Sequence, residues 1–109
     1  MKFGDLYIVE LPSADGREQA GKRPAVVVHV NDMLPTVLIV PVTSKLKALN
    51  FPHTLRIEPT IENGLTVPSV LLVFQLRAID KKRLLEQIGV LSSDEQTQLR
   101  HALHTMLGV

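Results

Sequence analysis

Cysteine is absent from this 109-residue sequence, which excludes disulfide staples, thiolate metal sites and a thiol nucleophile together. That absence does not fix a redox compartment, but nothing in the chain requires an oxidising one. An apolar leader is also lacking: the chain opens Met1-Lys2-Phe3-Gly4-Asp5, without the hydrophobic stretch of a secretion signal. The longest apolar runs, Ala25–Val28 and Thr36–Val42, fall far short of the roughly 20 residues a membrane-spanning helix needs. A soluble, cytoplasmic protein with no membrane partner is expected. Charge of one sign is not in excess, because 12 Lys and Arg against 11 Asp and Glu leave a net charge of +1. The chain is therefore no bulk nucleic-acid binder, and any nucleic-acid contact must come from local clusters. Repeats, low-complexity tracts and linkers are missing, so one domain over residues 1–109 is expected.

What is present is a 45% apolar composition suited to a globular core, and two local basic clusters. Arg17, Lys22 and Arg23 form one, and Lys45 and Lys47 the other, each beside a predicted strand. Asp5–Leu11 reads as a strand ended by Pro12, and Ser13–Lys22 as a polar loop carrying Gly16 and Gly21. Pro24–Val30 and Thr36–Val42 are β-branched runs of the kind buried on both faces. Pro41 suggests an edge or an end of the ladder, since proline lacks an N–H. Ser44–Pro52 and Glu58–Pro68 read as loops, His53–Ile57 as a short strand and Ser69–Gln75 as a strong one. Ala78–Ile88 suits a short helical turn followed by a strand, with Asp80 as its cap. In the last segment Ser92 and Glu95 have the form of a capping box. Leu99, Ala102, Leu103, Met106 and Leu107 then share one helical face, and Gly108 is the stop. The order predicts a mainly β fold, a small, strongly bent barrel with a packed C-terminal helix.

Three stretches carry a resemblance. The first is Gly4-Asp5-Leu6-Tyr7, leading through Gly16-Arg17-Glu18-Gln19-Ala20-Gly21-Lys22-Arg23-Pro24 into an apolar strand. The second is Val40-Pro41-Val42-Thr43-Ser44, and the third is Gln75-Leu76-Arg77-Ala78-Ile79-Asp80 followed by Lys82-Arg83-Leu84 and Ile88-Gly89. In order and spacing they resemble the MazF/PemK toxins of type II toxin–antitoxin systems, over nearly the whole chain. The block from Glu18 to Pro24 is the most specific. The resemblance implies an SH3-like barrel with a C-terminal helix, assembled as a homodimer. It implies a metal-independent endoribonuclease cutting single-stranded RNA at a preferred sequence, and a cognate antitoxin that covers the RNA groove.

It also points to Arg23 and Thr43 as the catalytic pair. Guanidinium offers phosphate a planar fork of donors and holds its charge at any relevant pH, and a threonine hydroxyl adds one more donor. Arginine is a poor base, with a pKa above about 12, so Glu18 stands as a candidate for the proton-transfer role and the base stays open. Arg17, Lys22, Ser44, Lys45, Lys47, His53 and Phe74 are candidate RNA contacts, and the loops Ser13–Lys22 and Ser44–Pro52 are expected to set the sequence cut. No cofactor and no metal is expected. The chain departs from the family at two positions. Many relatives carry an acid before the glutamine that matches Gln75, where this chain has Phe74; the Kid-like branch carries an arginine two residues earlier, where this chain has Leu72. That branch's catalytic set is therefore not available here, and Phe74 suits stacking on a base.

Each candidate also has a plain structural explanation. Arg23 before a proline-started strand suits a solvated surface charge, and Thr43 an ordinary strand position. Glu18 suits a loop ion pair with Lys22 or Arg17. His53 suits an exposed strand start, His29 a packed or strand-end site, and His101 with His104 a solvated helix face. Arg77 and Asp80 read as a salt bridge or turn cap. Two other functions stand against the nuclease. One is a gyrase poison of the CcdB type, whose signature ends in Trp-Gly-Ile, whereas this sequence ends Leu107-Gly108-Val109 and has no tryptophan. The other is a relative that binds RNA or antitoxin without cutting, which Leu72 and Phe74 keep open.

Overall fold

The computed structural model describes residues 1–12 and 21–109, and among them it holds seven strands, one more than the sequence predicts, followed by the expected C-terminal α-helix. The strands are β1 Asp5–Leu11, β2 Gly21–His29, β3 Thr36–Thr43, β4 Thr54–Ile57, β5 Ser69–Leu72, β6 Arg77–Asp80 and β7 Leu84–Val90, and helix α1 spans Ser93–Leu107. All pairings are antiparallel, in the order β4-β5-β3-β2-β1-β7, with β6 pairing β3 as well. The result is the mainly β fold with one C-terminal helix. No described helix is long and apolar enough to cross a membrane.

Strand alternation divides the core in two. Leu6, Val26, Val40 and Val42 face one way and meet Leu71, Ile57, Leu99 and Leu103, so this layer joins the sheet to α1. Val9, Leu11, Ala25, Val27, Val37 and Ile39 face the other way and pack with Ile79, Tyr7 and Leu84 inside the curl of the sheet. The β-branched run of β2 is thus buried on both faces, as its composition predicts.

Strand β3 holds the bend because it changes partners along its length. Thr36–Ile39 pair with β6, while Val42 and Thr43 pair with β5. Pro41 falls in the gap between those two partners while facing Ala25 of β2. The strand is central rather than an edge, so of the two alternatives expected from Pro41 the edge is corrected and the ladder end holds. The proline sits where the ladder on one side is interrupted, and a missing N–H is tolerated there.

Two other segments differ from expectation. Ser69–Gln75 does not continue as a strand: β5 stops at Leu72 and the chain makes a 3-10 turn over Val73–Gln75, closed by Leu76 N–H donating to the Val73 carbonyl at 3.0 Å. The turn carries the chain from β5, which pairs with the Val42–Thr43 end of β3, to β6, which pairs with Thr36–Ile39 along the same edge, a tertiary demand that outweighs the local apolar run. Ser44–Pro52 is a loop that contains a 3-10 turn over Leu46–Asn50. In the Ala78–Ile88 segment the predicted turn, Lys81–Arg83, and the following strand are both present, and the Asp80 carboxylate accepts from Lys82 N–H at 2.9 Å. The strand β6 before the turn was not foreseen.

Helix α1 begins as its sequence predicts. Ser92 Oγ accepts from Glu95 N–H at 3.1 Å and Glu95 Oε1 accepts from Ser92 N–H at 2.8 Å, completing the capping box. Gly108 closes it in the left-handed conformation at φ 73°. Leu99 and Leu103 are buried and Ala102 and Met106 pack at the border, but Leu107 is 55% exposed, because the helix has passed the end of the core there.

Candidate RNA-cutting site

The fold brings the predicted pair together. The β2–β3 ladder is paired as far as Ala25 and Pro41, and Arg23 and Thr43 each lie two residues beyond that pair and line the same cleft. Arg23 pairs with Val9 of β1, and its side chain is half-buried. Thr43 ends β3 beside Val70 of β5 and is only 4% exposed. Its Oγ1 accepts from Lys45 N–H at 3.2 Å. A hydroxyl that accepts still has its own proton to donate, so Thr43 can shape the turn into the basic loop and donate to an oxyanion at the same time.

Arg23 and Thr43 line one small cleft of about 190 Å³, together with Lys22, Ser44, Thr66 and Ser69. Thr43 also lines a neighbouring open groove of about 530 Å³, with Lys45, Lys47, Asn50, Phe51, Phe74 and Gln75, floored by Leu72. Thr43 is thus the wall shared by the two. Four basic side chains border this double cavity, and none of the described residues lining either part is a carboxylate. The field there favours an anion. Leu72 is 2% exposed and belongs to the floor, so no charged group projects from that position.

The expected residues divide clearly. Arg23, Lys22, Thr43 and Ser44 share the small cleft, while Lys45, Lys47 and Phe74 share the groove with Thr43. Arg17 and Glu18 lie outside the described residues. His53 does not line either cavity. It is exposed, holds a left-handed backbone at φ 58°, and its carbonyl accepts from Phe74 N–H at 3.2 Å. It therefore pins the turn that carries Phe74. His29 ends β2 at an exposed position, and His101 and His104 are exposed on α1. Asn50, Phe51, Thr66 and Ser69 were not anticipated as lining residues. Phe51 had a visible signal, an aromatic ring in a loop that already carries two lysines; Thr66 and Ser69 reach the cleft only because β5 pairs with β3.

Much of the family-like sequence outside the site is architectural. Gly4, at φ 92°, accepts from Leu91 N–H and donates to the Val27 carbonyl, and any side chain there would collide with Gln96. Gly64 and Gly89 bring the Glu58–Pro68 loop against β7, backbone to backbone, where a Cβ on either would clash with main-chain atoms.

A family model described as PemK-like, MazF-like toxin of type II toxin-antitoxin system matches residues 2–107. The chain belongs to this toxin family. Among solved structures, MazF from Deinococcus radiodurans is similar at 26% identity with a TM-score of 0.82, covering 100% of this chain and 97% of that one. A MazE–MazF structure from the same organism is similar at 26% identity and a TM-score of 0.75, covering 100% and 96%. An endoribonuclease from a mycobacterial species, in complex with its cognate antitoxin, matches at 20% identity and a TM-score of 0.75, covering 98% and 94%. At that identity the last likeness bears on the fold alone. The MazF/PemK toxin fold is therefore kept in this chain.

Proposed function

We propose that this MazF/PemK-type toxin is a metal-independent endoribonuclease that cuts single-stranded RNA at the Arg23–Thr43 cleft. The observation that carries the reading is the convergence of Arg23, Lys22, Thr43 and Ser44 on one cleft whose described lining has no carboxylate. RNA supplies its own nucleophile, the ribose 2′-OH, so the protein has to stabilise charge and move protons rather than activate water. The 2′-oxygen attacks phosphorus as its proton leaves, the bond from phosphorus to the 5′-oxygen breaks, and that oxygen takes up a proton. A 2′,3′-cyclic phosphate and a 5′-hydroxyl result. The Arg23 fork and the Thr43 hydroxyl hold the non-bridging oxygens, where negative charge grows in the transition state, and so lower the barrier rather than merely bind substrate. Glu18 is the candidate base. Lys45 and Lys47 guide the flanking phosphates, and Arg17 is a further candidate RNA contact.

The resemblance extends this reading to a homodimer that works in the cytoplasm and to a cognate antitoxin. The Deinococcus MazE–MazF structure supports the second. The test is incubation of purified protein with a long single-stranded RNA in EDTA, beside Arg23→Ala and Thr43→Ala. Discrete cleavage, ending in cyclic phosphate and lost in both variants, is expected. No cleavage of any RNA by the wild type would overturn the nuclease and leave the gyrase-poison and non-cutting readings.

A further inference from the structure

The groove beside the cleft holds a second arrangement, one that phosphate chemistry does not use. Phe51 and Phe74 come from separate loops, yet their ring centroids are 5.5 Å apart with an interplanar angle of 52°. Both rings line the groove and are 47% and 38% exposed, so each keeps free surface despite touching the other. Exposed phenylalanines are costly to leave in water without a use, and these two are concentrated in one concave place.

Their backbones are fixed. Phe51 N–H donates to the Ala48 carbonyl at 3.0 Å, closing the Leu46–Asn50 turn, and its own carbonyl accepts from Thr54 Oγ1 at 3.0 Å. Phe74 N–H donates to the His53 carbonyl at 3.2 Å, so the Phe74 turn is tied to the chain two residues past Phe51. Two rings held on tied turns lose little freedom when something stacks on them. Around them stand Lys45 and Lys47, which favour an anionic chain, and the amides of Asn50 and Gln75, which suit the polar edge of a base. Aromatic face, cationic flank and amide edge together are the chemistry of a single-stranded nucleotide rather than of an apolar peptide.

We infer that Phe51 and Phe74 form a stacking clamp for one unstacked base of the RNA. Because Thr43 is the wall shared by groove and cleft, the clamped base is the one next to the phosphate being cut, and the clamp sets the base preference at that single position. The inference rests on the nuclease reading for what lies in the groove, but its test does not need cleavage.

The chain has only three phenylalanines, and the third, Phe3, lies under Arg100 with 4.1 Å from the guanidinium carbon to the ring centroid. It serves as an internal control. Protein labelled at phenylalanine is titrated with a short RNA blocked at every 2′-oxygen by methylation. Ring-current shifts at Phe51 and Phe74, with Phe3 still, are expected. Phe51→Ala and Phe74→Ala should each weaken binding of this RNA roughly five- to 150-fold, while Phe74→Tyr should restore most of it. In active protein, sequencing of cleavage ends should show preference relaxed at one position beside the cut in both alanine variants. Binding of the blocked RNA with all three rings unmoved, or preference relaxed equally at several positions, would overturn the clamp. So would rings that respond to the antitoxin's peptide and not to RNA. Binding and ring shifts without any cleavage would uphold the clamp and overturn the nuclease, whereas no binding at all would overturn both.

Discussion

Thr43 has two tasks, and substitutions separate them. Its Oγ1 anchors Lys45 N–H and its proton is free for phosphate, so Thr43→Val removes both while keeping the β-branched shape. Cleavage should fall on the order of a hundredfold, with a stability loss of about 1 kcal/mol from the lost hydrogen bond, and Thr43→Ser should recover both. Single-turnover rates and urea melts measure the two effects independently. Arg23→Lys keeps the charge and loses the planar fork; a cleavage rate well below wild type, with RNA affinity nearly held, is expected. Away from the site, Asn63 is wholly buried and ties its loop together. Its side chain donates to the Glu58 carbonyl at 2.9 Å and accepts from Thr60 N–H and Leu65 N–H at 3.0 Å each. Asn63→Ala leaves those groups unpaired at about 1–3 kcal/mol apiece, and a large drop in midpoint without loss of fold in the remainder is the expected melt.

Among the elements, α1 and the Glu58–Pro68 loop show how far local chemistry reaches. The capping box of α1 is written in four consecutive residues and forms as written, so Ser92→Ala should cost about 1 kcal/mol. Leu103, buried in the core layer where α1 meets β4 and the Val73–Gln75 turn, should cost about 2–5 kcal/mol when cut to alanine. Denaturant unfolding of the two variants checks this order. The loop owes its position to something less local. Val90 N–H donates to the Glu62 carbonyl at 2.8 Å, and this approach is possible only because Gly64 and Gly89 both lack a Cβ there. A strand–loop contact of this kind has no signature in either segment alone.

The whole molecule concentrates its charge rather than carrying much of it. A net charge of +1 coexists with a cavity bordered by Lys22, Arg23, Lys45 and Lys47. Affinity for a blocked single-stranded RNA should therefore fall as salt rises, with a log–log slope of about −0.7 for each phosphate held. Lys45→Ala with Lys47→Ala should flatten that slope, measured by anisotropy between low and physiological salt. The two core layers share β1, β2 and β3, so neither can melt alone. Residues 1–109 are expected to unfold in one cooperative transition, with matching calorimetric and van't Hoff enthalpies.

Local pattern by itself determined strand β1 to the residue, the bilateral burial of β2, the ends of α1 and the mainly β class, because each rests on alternation, capping or β-branching within one segment. The motif blocks also pointed to Arg23 and Thr43, which line one cleft in the folded chain. Only the tertiary structure decided where β5 gives way to β6, since that turn answers to β3 changing partners rather than to any breaker among Val73, Phe74 and Gln75. It alone tied the His53 carbonyl to Phe74 N–H, and it alone joined Phe51 to Phe74 across more than twenty residues of sequence. Such contacts are made by separate segments meeting on a folded sheet, and neither segment carries a record of the other.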